Sequence, residues 1–177
     1  PATGHALALA SLPKVVHRIV PTGLIGDAIA DGLDCLTSDK RCCAILPTLP
    51  ETMPVTETKE LISALADCGI AVGGVVLNKM PQNPLSETER HALSQWSKQR
   101  DESFLGAREL IRLERAYAAR KMFYEHLPQD IPRYEVPDLE AATDRDRIDL
   151  ILPFLERPSE PPSEKMLRHP QWKILML

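Results

Sequence analysis

The chain has 177 residues, of which 44% are hydrophobic and 26% are charged, so it is long enough to bury the core of one well-packed domain. Its formal net charge of -4 argues against nucleic acid as a partner, because duplex nucleic acid and anionic membranes attract strongly basic surfaces. The sequence contains no run of about 18 apolar residues that could cross a bilayer, and we therefore expect a soluble cytoplasmic protein that is not embedded in a membrane.

The chain opens with two predicted helices. Residues 1 to 5 read as a tight turn, and the apolar stretch from residue 6 to residue 12 predicts a helix that ends at Pro13. Behind the breakers Pro21 and Gly23, apolar residues recur at helical spacing and predict a second helix: Ile25, Ile29, Leu33 and Leu36. Because a domain seldom begins in a tight turn with no strand before it, we expect further polypeptide upstream of the first residue.

A strand, a helix and another strand are predicted next. Residues 42 to 46 form a short apolar run typical of a buried parallel strand, and residues 51 to 69 predict the clearest helix in the chain. Residues 70 to 77 predict a second apolar strand, which breaks abruptly at Asn78 and Lys79. Short connections of this kind indicate a βαβ unit with a parallel sheet.

The region from about residue 85 to residue 127 is predicted to be a helical insertion. Ser86 and Glu89 have the spacing of a capping box, and residues 104 to 127 predict a helix of about six turns. Apolar residues are expected on one face of that helix: Leu110, Leu113, Tyr117 and Tyr124. Arginines interleaved with glutamates are expected mostly on another face, which we interpret as solvated and salt-bridged in preference to a phosphate-binding stripe: Arg108, Arg112, Arg115 and Arg120.

Residues 131 to 136 predict a last short strand, and a final helix is predicted to follow with Asp138 as its N-cap. The fold class is therefore α/β, with a parallel sheet and flanking helices. We assign residues 1 to 155 to one domain and residues 156 to 177 to a proline-rich linker with an apolar tail, which we expect to dock on this domain or on a neighbour.

The cysteines lack CxxC spacing and are expected to be reduced thiols: Cys35, Cys42, Cys43 and Cys68. A zinc or metalloid site that uses Cys42 or Cys43 is the open alternative. Because no histidine or second cysteine lies at ligand spacing, we predict no metal site in these residues.

Three strand exits carry polar residues that suggest a ligand site. They lie at residues 48 to 51, at Asn78 with Lys79, and at residues 135 to 139. Parallel α/β sheets bind ligands just beyond the carboxyl ends of their strands, so these exits are expected to lie near one another.

In this order, the segments resemble the arsenical pump-driving ATPase (ArsA) family. PATGHALALASLP looks like that family's second switch motif, and LPTLPETMPVTETKEL is similar to its strand, loop and helix. VVLNKM resembles the strand whose Asn hydrogen-bonds adenine, and IPRYEVPDLEA resembles the loop that covers the base. The resemblance extends to about residue 155 and implies the C-terminal portion of a P-loop NTPase domain of the SIMIBI type.

The resemblance also implies roles for individual residues. The switch that responds to the γ-phosphate would comprise Pro1, Ala2, Thr3, Gly4 and His5. The adenine side of an ATP site would comprise Asn78 as the base reader, Lys79, Pro132, Glu135, Val136 and Pro137. No catalytic residue is expected among these 177 residues, because the family holds its attacking water elsewhere.

No GxxxxGK[ST] motif occurs in the sequence. The resemblance therefore implies that the P-loop, which binds ATP with magnesium, belongs to a separate N-terminal portion, and that the residues printed here neither bind nucleotide tightly nor hydrolyse it alone. The intact protein would be a homodimer or pseudo-dimer that couples hydrolysis to export of arsenicals or other anions, or to delivery of a membrane protein.

Two features depart from this family. The stretch PQNPLSETER has no cysteine, so zinc-bridged dimerisation is not supported, and the four cysteines do not match those of the arsenite-activated members. One alternative is a binding module without hydrolytic activity, which would hold a partner protein through the helical region of about residues 85 to 127. Another is a general α/β domain with a chance set of motifs.

Overall fold

The computed structural model describes residues 2–82, 86, 88, 89, 92, 95, 105–141 and 143–161. Within them the elements follow in the order α1 (Ala2–Ile19), α2 (Gly23–Thr37), β1 (Ala44–Thr48), α3 (Thr52–Asp67), β2 (Val72–Met80), α4 (Leu105–His126), β3 (Arg133–Pro137) and α5 (Asp144–Leu155). The predicted α/β class, a parallel sheet with flanking helices, is confirmed.

The described strands form one parallel sheet in the order β1-β2-β3. In the register of this sheet, Leu46 lies opposite Val75 on the β1 side, and Leu77 lies opposite Glu135 on the β3 side. β2 is thus the central strand, and its carboxyl end lies between those of its two neighbours.

One face of the sheet is buried against α3 and α4. Val75 and Leu77 of β2 are completely inaccessible to solvent, as is Phe123 of α4, and Val55 of α3 is nearly so. Each side chain of this size contributes about 1.5–3 kcal/mol when fully buried. This core places α3 and α4 firmly against the strands whose ends carry the candidate site.

Arg133, the first residue of β3, caps the carboxyl end of α4 with hydrogen bonds from its guanidinium group. Its Nη1 donates to the carbonyl oxygen of Tyr124 at 2.9 Å, and its Nη2 donates to those of Leu127 and Pro128, both at 2.8 Å. A helix C-terminus has unsatisfied carbonyl groups and a partial negative charge, so a buried guanidinium is favourable there.

A second buried arginine joins α4 to β3. Arg120 Nε lies 2.6 Å from Glu135 Oε1, and the two side chains are only 5% and 14% exposed. Burial, followed by the neighbouring carboxylate of Glu135, raises the pKa of Tyr124 in the same cluster. The sequence prediction that Arg120 lies on the solvated face was wrong, because this side of α4 packs against β3. Arg112 does lie on that face, paired with Glu109.

Helix boundaries differ from the predictions at both ends of the chain. α1 begins at Ala2 rather than after a turn, and it continues through Pro13 to Ile19, with Ala10 packed against the core. α5 begins six residues after the predicted cap Asp138. Its N-cap is Thr143, whose Oγ1 accepts from the main-chain nitrogen of Asp146 at 3.2 Å.

Other local predictions are confirmed. α2 and α3 form where apolar spacing predicts them, and Gly69, with φ of 77°, ends α3 as the sequence indicates. The capping box is present, since Ser86 N donates to Glu89 Oε2 at 2.8 Å and Glu89 N donates to Ser86 Oγ at 3.3 Å. Most of the predicted insertion before residue 105, and residues 162–177 of the predicted tail, lie outside the described residues.

No helix in the described part of the chain is both long enough and apolar enough to span a membrane.

The buried ion pair generates a stability prediction. Replacing Arg120 by Met leaves the Glu135 carboxylate buried without its partner, so the free energy of unfolding should fall by about 3–5 kcal/mol. The double variant Arg120→Met with Glu135→Leu should recover most of this loss. Urea unfolding of each variant measures the effect.

Arg112→Met is the matched control, because it removes an exposed pair and should cost at most about 1 kcal/mol. Equal losses for Arg112→Met and Arg120→Met would contradict the assigned importance of the buried pair.

Candidate functional site

A β-bulge lies at the carboxyl end of β2, where the sequence predicts the strand to end. Leu77 pairs with Glu135 and Met80 pairs with Pro137, so three steps along β2 match two along β3. The strand therefore continues past Leu77 to Met80, and the extra residue falls at Asn78 and Lys79. Bulges of this kind occur preferentially next to functional sites, where they redirect side chains.

The backbone of the bulge has an uncommon conformation. Lys79 has φ of 58°, in the left-handed region that residues with a side chain rarely adopt. Its main-chain nitrogen donates to Asn78 Oδ1 at 3.0 Å, which orients the amide group. Asn78 is partly buried and Lys79 is exposed. Strained backbone conformations cluster at binding sites, and the bulge is therefore the centre of the candidate site.

Residues of β3 form the neighbouring wall, mainly through their main chain. The carboxylate of Glu135 is held by Arg120, and its main-chain nitrogen donates to Ser159 Oγ at 2.9 Å. Val136 is only 2% exposed. The main-chain nitrogen of Asp138 donates to the carbonyl oxygen of Met80 at 2.9 Å, which keeps the exit of β3 beside the bulge.

The structure separates Pro132 from the other predicted adenine-side residues. Its carbonyl oxygen accepts from Val75 N at 2.9 Å, at the amino end of β3. Three residues of strand, about 10 Å, separate it from Glu135. The residues that the sheet does bring together are Asn78, Lys79, Glu135, Val136 and Pro137.

A groove of about 460 Å³ lies between β1, the starts of α1 and α3, and Asn78 of β2. Its floor consists of residues 45 to 49, which line it consecutively. The remaining lining residues come from the start of α1 and from α3: Ala6, Pro54, Glu57, Thr58 and Leu61. The volume is in the range of small-molecule sites, and the lining is mainly apolar.

The predicted switch residues lie at the start of α1. Pro1 is outside the described residues, and residues 2 to 5 form the first turn of the helix, with Gly4 and His5 exposed. The next residue, Ala6, lines the groove together with Asn78. The predicted switch thus directly precedes a residue that shares a groove with the predicted base reader.

Thr48 is a polar residue of this groove without a visible partner. The residue is 6% exposed, and its Oγ1 is buried with no hydrogen-bond partner in the part of the chain that the structure describes. The sequence predicted a ligand site near residues 48 to 51, after the first strand, but it predicted no specific role for Thr48. The sequence likewise predicted no site role for Ala6, Pro54 or Thr58, because only tertiary packing brings them to the groove.

Within the described ranges, no three His, Cys, Asp or Glu side chains gather in a group that could hold a metal ion. The four cysteines are free thiols, and Cys43 is exposed while the other three are partly buried.

No protein-family model matches the sequence, and no curated protein is significantly similar to it.

The unpartnered hydroxyl of Thr48 generates a second stability prediction. Thr48→Val replaces a buried polar group by an apolar group of similar shape, so the free energy of unfolding should rise by about 1–2 kcal/mol. Urea unfolding without added ligand measures the change. Thr56→Val is the control, because that exposed hydroxyl donates to the carbonyl oxygen of Thr52 and its loss should be neutral or slightly destabilising. A destabilised Thr48→Val variant would show that the hydroxyl has a partner.

Proposed function

We propose that this chain is the adenine-binding side of an ATPase similar to the arsenical pump-driving family. The phosphate-binding P-loop would belong to polypeptide outside the printed residues. The intact enzyme would couple ATP hydrolysis to the export of arsenicals or other anions, or to the delivery of a membrane protein. The observation that supports this function most is the pairing of Leu77 with Glu135, which holds Asn78 beside the exit of β3.

The conformation of the bulge makes the side-chain amide of Asn78 suitable for hydrogen bonding to a nucleobase. A side-chain amide carries both a donor and an acceptor, and Lys79 N already engages its oxygen, which leaves the amide nitrogen to donate to a ring nitrogen of adenine. The ordered strand beneath it holds the amide in one place, which lowers the entropy lost on binding. Pro137 and the main chain of residues 135 to 138 would flank the ring.

The start of α1 is the element that we propose to respond to the γ-phosphate. The amino end of a helix has unsatisfied N–H groups and a partial positive charge, both of which favour an anion. A movement of residues 2 to 5 would be transmitted to the groove through Ala6. We assign magnesium and the attacking water to the P-loop portion, because the resemblance to the ATPase family places both there.

A module that binds a partner protein through the helical region has less support in the described part of α4. Its apolar residues Leu110, Leu113 and Phe123 are buried inside the domain, so this helix does not present a continuous apolar face to solvent. A client groove of the usual kind requires such a face.

Base binding by this chain alone tests the adenine assignment. Adenosine, which needs no phosphate site, should shift the amide resonances of Asn78, Lys79 and Val136 in a ¹⁵N-correlated spectrum, with a Kd of about 1 mM because most of the binding energy of ATP comes from its phosphates. Guanosine should bind about tenfold more weakly. Asn78→Ala should remove most of this preference, since a net hydrogen bond contributes about 0.5–1.5 kcal/mol.

Gln129→Ala is the matched control, because it removes an exposed amide from the loop before β3 and should leave the preference unchanged. If Asn78→Ala binds adenosine and guanosine in the same ratio as the unaltered chain, Asn78 is not the base reader. ATP and GTP titrations after addition of the P-loop portion extend the same comparison to the intact enzyme.

A further inference from the structure

The segment that follows α5 returns to the outer edge of β3. Val75 N donates to the carbonyl oxygen of Pro132 at 2.9 Å, so the main chain of Pro132 faces β2. Main-chain groups alternate in direction along a strand, and those of Arg133 and Glu135 therefore point to the outer edge. Ser159 pairs with both: its main-chain nitrogen donates to the carbonyl oxygen of Arg133 at 2.6 Å, and its Oγ accepts from Glu135 N at 2.9 Å. One residue thus takes the place of a neighbouring strand.

This contact covers the edge of the sheet at β3. Residues 157 to 161, which we call the strap, include Pro158 and Pro161, and neither proline has an N–H to offer to a further strand. Ser159 is partly buried, whereas the other four residues of the strap are exposed. In the described part of the chain, the hydrogen bonds from the strap to the sheet are the two that Ser159 makes. The attachment of the strap therefore depends on this residue.

The helix that precedes the strap is weakly held in the fold. No residue of α5 is buried: Ile151 is partly buried and the others are exposed, including Ile148 at 59% and Leu152 at 51%. Pro153 within the helix removes one main-chain hydrogen bond. A helix of 12 residues is only marginally stable by itself in water. α5 packs against β3, and its stability depends on that contact and on the strap.

α5 and the strap differ in this respect from α4, which is also attached to β3. α4 buries Ala119 and Phe123 completely, and both belong to the core. Segments with few buried apolar groups open at a lower free energy than the core does. α5 and the strap therefore have the properties of a unit that opens while the sheet stays folded.

Opening of this unit affects the candidate site through β3. The strap holds Glu135, which lies opposite Leu77 beside the bulge. From there β3 leads into α5 through Asp138, whose main-chain nitrogen is hydrogen-bonded to β2. When α5 and the strap open, this exit loses its support on the outer side. Arg120 and Arg133 still hold the strand against α4, so opening loosens the exit without releasing it.

We propose that α5 and the strap form a latch on β3, which Ser159 closes and which opens as a unit, loosening the wall of the base site. In the closed state, the main chain of β3 is held by β2 on one side and by Ser159 on the other. In the open state only β2 pairs with it, so a bound base has a less rigid wall. Ser159 is thus a positioning residue, which acts on the ligand through the main chain of Glu135. The effect on base binding rests on the proposed adenine site, whereas the opening itself does not.

Hydrogen exchange of the native chain tests the latch. The amides of α5 and of Glu135 should exchange with one common opening free energy, and about 100-fold faster than those of Leu77 and Phe123, which exchange only when the core opens. Ser159→Ala removes the acceptor of Glu135 N and should speed exchange about tenfold in both α5 and Glu135. Amide-resolved NMR at low urea concentrations measures these rates.

Two further variants separate the hydroxyl of Ser159 from general effects of mutation. Ser159→Thr retains a hydroxyl at this position and should restore the slower rates. Ser63→Ala is the matched control, because it removes an exposed hydroxyl that donates to the carbonyl oxygen of Lys59 within α3, and it should leave exchange in α5 and at Glu135 unchanged. Circular dichroism verifies that each variant folds.

Adenosine tests the connection between the latch and the base site. A ligand shifts an equilibrium by the ratio of its affinities for the two states, so about threefold weaker binding to the open state predicts that saturating adenosine slows exchange in α5 about threefold. Asn78→Ala should weaken adenosine binding without speeding exchange of α5 in the free chain. This difference distinguishes loss of the base reader from loss of the latch.

Exchange of α5 as slow as that of Leu77, or no protection of α5 at all, would overturn the latch, because the unit would then open only with the core or never close. Faster exchange of Glu135 alone in Ser159→Ala would show that α5 and the strap are not one unit. Adenosine that binds without slowing exchange in α5 would overturn the effect on the site. If adenosine does not bind, the proposed function fails together with that effect, and the exchange rates of the free chain still decide whether the latch exists.

Discussion

The buried ion pair between Arg120 and Glu135 is the interaction on which the candidate site depends. It fixes α4 to β3 at the level where β3 pairs with Leu77, one residue before the bulge. Arg133 makes a second attachment between the same two elements at the amino end of β3, where it donates to the carbonyl oxygen of Tyr124 in α4 and to that of Leu127 just after the helix. With the first and the middle residue of β3 both attached to α4, the exit of the strand has little freedom to move away from Asn78.

This arrangement also explains why Glu135 contributes to the candidate site through its main chain and not through its side chain. A carboxylate that is 14% exposed and 2.6 Å from a guanidinium nitrogen cannot turn towards a ligand without leaving Arg120 unpaired in the core. The resemblance implies a place for Glu135 in the wall of a base pocket, and the structure places its main chain opposite Leu77, beside the bulge. Its side chain has a structural role instead, which is to hold the wall against α4.

Apolar side chains are buried on one side of the domain and exposed to solvent on other surfaces. The face of the sheet towards α3 and α4 is densely packed, whereas Ile45 of the edge strand and Leu9, Leu12 and Ile19 of α1 are at least half exposed. Exposed apolar area of this extent usually marks a surface that meets another molecule. A domain completed by further polypeptide, as we propose for the ATPase, would reduce this exposure.

The sequence by itself determined the elements whose signals are local: the helical periodicity of α2, α3 and α4, the glycine that ends α3, and the capping box at Ser86 and Glu89. The sequence also predicted that Asn78 lies close to the carboxyl end of β3, since parallel strands that follow one another in the chain commonly pair. Only the tertiary structure decided that Arg120 is buried, that β2 continues through a bulge at Lys79, and that Pro47 lies within an edge strand. The physical reason is that a charge, a proline or a polar pair at the end of a strand has no preferred environment until another element packs against it.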